Sequence, residues 1–97
     1  MNHTINLALQ IIPQSDKKDV YSLVDKAIEV IQRSGLKYEV CPFETVMEGG
    51  YDQIMGVVRE AQHACFEAGA EELLVNIKIQ VRRDEDVSIE EKTGKYR

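Results

Sequence analysis

The stretch Leu73 to Arg82 (LLVNIKIQVR) alternates apolar and polar residues with one exception, Leu74. Leu73, Val75, Ile77, Ile79 and Val81 share one parity; Asn76, Lys78, Gln80 and Arg82 share the other. The first segment repeats the pattern, with Ile5, Leu7, Leu9 and Ile11 set against Asn6, Ala8 and Gln10. Successive side chains on a strand point to opposite faces, so both segments belong to a sheet with one buried face and one polar face. In a chain of 97 residues that polar face is unoccupied surface, and something is expected to sit on it.

Between these strands the period changes. Val20, Leu23, Val24, Ala27, Ile28 and Ile31 recur at helical spacing, with Asp19 or Asp16 as the start signal and Gly35 as a left-handed exit. Ile54, Val57, Val58, Ala61, Ala64, Cys65 and Ala68 form a second stripe that ends at Gly69. Pro13 and the polar run after it read as a loop. Lys37 to Phe43 reads as a second strand, at a sheet edge or ending there because Pro42 lacks an N–H. Thr45 to Glu48 reads as a third strand. The order β-α-β-β-α-β predicts an α+β, ferredoxin-like sandwich, a four-stranded antiparallel sheet with two helices on one face. The whole chain, residues 1–97, is expected to form one domain. Residues 85–97 form a tail in which Ser88 and Glu91 mark a capping box for a short helix that needs another surface to dock on.

Charge narrows the function classes. The net charge is −5, which repels phosphate backbones, and the strands lack central stacking aromatics, so no nucleic-acid partner is expected. No apolar run is long enough to cross a bilayer, and the N-terminus reads as a strand rather than a signal peptide. A cytoplasmic setting follows, with Cys41 and Cys65 as small buried apolar residues. Neither the His63 and Cys65 spacing nor any other pattern suggests a metal site, and no catalytic set is legible.

Glu48 is the residue of interest. With Met47 beneath the helices, Val46 and Glu48 face the polar side, and strand three is central in this topology. A mid-sheet carboxylate needs donors; Lys78, Asn76 and Asn6 are the candidates on the same face. One reading is a carboxyl group that hydrogen-bonds a polar heterocycle, with Thr45, Asn76 and the aromatic Phe43 or Tyr38 nearby. The other is an ion-paired or solvated Glu48 with no ligand. Lys78 has its own plain alternative, an edge-strand charge that deters aggregation.

The segment SGLKYEVCPFETVMEG resembles a family of small cytoplasmic thiamine-binding proteins through Ser34, Gly35, Leu36, Lys37, Tyr38, Pro42, Thr45, Glu48 and Gly49. The likeness continues through Ala68 to Ala70, Ile77 to Ile79 and Arg82 to Asp84. It implies a ferredoxin-like fold, a homo-oligomer built through sheet edges and faces as a dimer or tetramer, and binding of thiamine or its hydroxymethylpyrimidine part without catalysis. Carried to this chain, it makes Thr45 and Glu48 pyrimidine contacts, with polar-face residues of strand four, Asn76 and Lys78, alongside. Thiamine or hydroxymethylpyrimidine is then the ligand, and no cofactor is called for. The tail departs from the family, ending at Arg97 after Gly94 where a longer helix is usual. Two other functions stay open: a small acid–base enzyme acting on a thiamine precursor, and a scaffolding subunit whose strand-four edge recruits a partner.

Overall fold

The computed structural model of the chain describes residues 3–97. The order is β1 (Ile5–Gln14), α1 (Val20–Arg33), β2 (Lys37–Val40), β3 (Thr45–Gly49), α2 (Tyr51–Glu67), β4 (Glu72–Gln80) and α3 (Ile89–Thr93), followed by a 3₁₀ turn, Gly94–Tyr96. The sheet is antiparallel in the order β2-β3-β1-β4, so β3 is central and β4 is an edge. This is the ferredoxin-like sandwich, extended by a third short helix.

Alternation decides which side chains enter the core. Ile5, Leu7 and Leu9 of β1 and Met47 of β3 pack beneath the helices, against Leu23, Ala27, Val30 and Ile31 of α1 and Ile54, Val57, Val58, Ala61 and Cys65 of α2. The α1 stripe is rotated slightly from the expected one, since Val30 is buried and Val20 is exposed. Asp19 holds the N-cap position of α1 without a side-chain cap; the Ser22 hydroxyl donates to its carbonyl at 2.8 Å instead. Gly35 leaves the helix at φ 80°, a conformation that L side chains rarely adopt.

Two strand boundaries differ from expectation. β1 runs through Pro13 to Gln14, where a loop was predicted. The Gln14 carbonyl accepts from Glu71 N–H at 2.9 Å on the β4 side, so Pro13 directs its missing donor to the other side, where β3 ends at Thr45 opposite Leu9. Pro13 therefore costs the ladder nothing. β2 stops at Val40, and the Cys41 N–H donates to the Glu44 carbonyl at 2.9 Å across a turn that holds Pro42.

The larger correction concerns β4. Its inward-parity row was expected to be buried, yet Ile77 and Ile79 are 38% and 40% exposed and Val81 beyond the strand is 40% exposed. α1 and α2 cover β1 and β3 but leave the C-terminal half of the edge strand bare on the helix side.

Candidate ligand-binding site

On the sheet face away from α1 and α2, four residues align in one transverse row: Glu39, Val46, Ala8 and Lys78, one from each strand. Neighbouring strands lie about 4.8 Å apart, so the row spans roughly 14 Å between its outer backbones. Its centre is small and apolar; its two ends are an acid and a base. The next row holds Lys37, Glu48, Asn6 and Gln80.

The C-terminal tail occupies that second row. Val87 and Ile89 are the anchors, both buried. The Val87 N–H donates to the Thr4 carbonyl at 3.0 Å, extending backbone pairing beyond the start of β1. The capping box forms as expected: Glu91 N–H donates to Ser88 Oγ at 3.1 Å, and Ser88 N–H donates to Glu91 Oε1 at 3.0 Å. The Ile89 N–H, in the first turn of α3, donates to Glu48 Oε1 at 2.6 Å. Asn6 is buried beside it; its Oδ1 accepts from Lys92 Nζ at 2.8 Å and its Nδ2 donates to the Val87 carbonyl at 3.4 Å. Arg82 pairs with Glu91 at 2.8 Å, and Arg97 reaches Glu39 at 3.0 Å.

Hydrogen bonds also set the acidity of this segment. The Thr4 N–H holds the Asp86 carboxyl below its ordinary value, and the Ser88 N–H, assisted by Arg82, does the same for Glu91. Both groups therefore favour the ionised form in which the tail is docked.

Between the tail and the β2–β3 turn lies a cavity of about 330 Å³. Ala8 and Val46 form its floor, Ile89, Lys92, Thr93 and Arg97 one wall, and Cys41 and Glu44 the other. Its size is that of a small-molecule site: an apolar slot with a few polar groups at the rim. Glu44 lies 3.5 Å from Lys78, whose side chain is largely in solvent, so this pair is easily replaced by a ligand.

The expected site residues separate. Lys78 lines the cavity. Glu48 lies on the predicted face and in the predicted strand, but its carboxylate serves α3 rather than opening into the cavity. Asn76 is on the same face and hydrogen-bonds Gln10 at 3.1 Å, one row beyond. Thr45 and Phe43 need correcting as neighbours of Glu48. Thr45 has the parity of Met47 and is buried on the helix side; Phe43, 82% exposed, sits in the turn. Both border a second, smaller cavity of about 100 Å³ between α1 and that turn. Cys41 is likewise not buried, whereas Cys65 is, and burial pushes its thiol up. Among the described residues no cluster of His, Cys, Asp and Glu is arranged to hold a metal, and no helix is long and apolar enough to cross a membrane.

Sequence reasoning missed Glu39, Glu44, Lys92 and Arg97. The parity of Glu39 relative to Val46 was readable; the arrival of Lys92 and Arg97 beside it was not, because it depends on where α3 docks.

Fold and cavity define a ferredoxin-like sheet domain whose open face carries a small-molecule-sized slot walled on one side by residues 89–97. The chain belongs to the thiamine-binding protein family, whose model matches residues 7–97. A UPF0045 protein of Clostridium perfringens is 42% identical over 94 residues, covering 97% of this chain and 98% of that one. Among solved structures, a domain of unknown function from Bacillus cereus superposes with a TM-score of 0.95 at 49% identity, covering 99% of this chain and 92% of that one. A Thermotoga maritima structure named "putative thiamine biosynthesis/salvage protein" gives 0.86 at 31% identity, covering 97% and 99%.

Proposed function

We propose that the chain binds thiamine, or its hydroxymethylpyrimidine part, in the cavity over Ala8 and Val46, without transforming it. The observation that carries this reading is a slot of about 330 Å³ with a small apolar floor on the open sheet face, in a member of a family called thiamine-binding. A flat heteroaromatic ring can lie across the Ala8–Val46 pair. The aminopyrimidine offers an exocyclic N–H₂ and a ring nitrogen, and Glu44 and Lys78 supply an acceptor and a donor at the rim. Lys78 is thus a direct contact, Glu48 acts behind the wall, and Thr45, Phe43 and Asn76 lie outside the slot.

The non-catalytic part rests on the family, which is described by binding rather than by a reaction. The two free cysteines are compatible with a reducing, cytoplasmic setting. Calorimetric titration with thiamine and with hydroxymethylpyrimidine is expected to give saturable heat with at least one. No heat from either, with the protein folded, would end the proposal.

The working form is a homo-oligomer. Among the described residues the outer edge of β4 is unpaired, and its helix-side row of Ile77, Ile79 and Val81 is partly exposed. A second copy paired along β4 would satisfy the edge and place two apolar rows side by side. Ile79→Lys is expected to reduce the particle mass seen by light scattering to that of one chain. A monomeric parent protein would refute the pairing.

A further inference from the structure

The polar contacts of α3 with the sheet converge on two residues. Glu48 takes the Ile89 N–H at 2.6 Å, and Asn6 takes Lys92 at 2.8 Å while donating to the Val87 carbonyl. These two residues are also joined to each other, at 3.5 Å. α3 itself has only five residues, far below the length at which a helix persists unaided. The remaining ties of its cap and C-terminal end, Arg82 to Glu91 and Arg97 to Glu39, join partly exposed groups and hold weakly. Asp86 and Val87 are held separately, by Thr4 and Arg82, so whether α3 and the residues after it lie on the sheet depends on Glu48, Asn6 and the burial of Ile89.

The same segment makes one wall of the cavity, through Ile89, Lys92, Thr93 and Arg97. We propose that Glu48 is a positioning residue that holds residues 88–97 as a movable wall, so that the slot has this wall only while the segment is docked. This rests on the reading of that cavity as the binding site. Glu48 then acts on a ligand through α3 without touching it. A molecule that contacts the wall from inside binds the docked state better than the undocked one, and so draws the segment down. Conversely, anything that weakens the Glu48 tether lowers affinity by the fraction of molecules left open.

The test uses the full chain in three forms: wild type, Glu48→Gln and Glu48→Ala. Gln keeps a carbonyl oxygen to accept the Ile89 N–H; Ala removes the acceptor. Two ligand-free measurements read the wall. One is hydrogen exchange at the amides of residues 89–93, with Leu7 and Leu9 of β1 as reference. The other is the rate at which a bulky maleimide alkylates Cys41 in the cavity, with the buried Cys65 as internal control. Glu48→Ala is expected to speed both by about ten-fold or more, as fits loss of a hydrogen bond to a charged acceptor, with β1 unchanged. Glu48→Gln is expected to restore both close to wild type.

Equal rates in wild type and Glu48→Ala would overturn the proposal, as would a Gln variant as fast as the Ala variant. Acceleration that extends equally to Leu7 and Leu9 would also overturn it, making Glu48 a residue of global stability. In a third measurement, thiamine affinity by calorimetry should fall in Glu48→Ala and recover in Glu48→Gln. Unchanged affinity in the Ala variant would sever the wall from binding. Absence of thiamine binding by wild type would count against the ligand assignment alone, since the first two readings need no ligand.

Discussion

Leu7→Ala is expected to destabilise the fold by about 2–5 kcal/mol, the usual range for removing a large apolar side chain from a packed core. Leu7 is 0% exposed and lies on the inner strand β1, paired with Met47 on one side and Ile79 on the other. For a domain of this size each kcal/mol shifts the melting point by roughly 4–8 °C, so the melting point followed by circular dichroism should fall by at least about 8 °C. A shift no larger than that of an exposed substitution would place the centre of the core elsewhere.

The neighbouring residue should behave in the opposite way. Ala8 points to the other face and forms half of the cavity floor. Ala8→Phe puts a ring where the ligand ring would lie. Thiamine binding is expected to weaken at least about a hundred-fold, equivalent to about 2.7 kcal/mol. The melting point should stay near that of the parent, because the new ring enters open space and leaves the core untouched. Binding at wild-type strength in Ala8→Phe would remove the cavity from consideration. Two adjacent residues thus separate stability from function, because a strand turns successive side chains to opposite faces.

The same parity explains what could be read without coordinates about the proposed site. Met47 inward requires Glu48 outward, and the central position of β3 follows from the element order; both hold in the structure. Thr45 shares the parity of Met47, so alternation by itself puts it with the helices. Placing it beside Glu48 on the polar face went against that alternation. The capping box at Ser88 was equally legible, and so was the need of that helix for a surface. Which surface was not, because Val87 and Ile89 are two apolar residues in a polar tail with no periodicity to orient them.

Local pattern, set by backbone geometry and the spacing of apolar residues, determined the strands, the two long helices, their order and the existence of an unfilled polar face. Tertiary structure decided what fills it. The partnership of Glu48 with Ile89 joins residues 41 positions apart, and that of Asn6 with Lys92 joins residues 86 apart. Such contacts depend on how a short segment packs on a finished sheet, and no periodicity along the chain encodes a distance of that kind. The bare row on β4 belongs with them, since alternation marks a residue as apolar-facing but does not say whether a helix arrives to cover it.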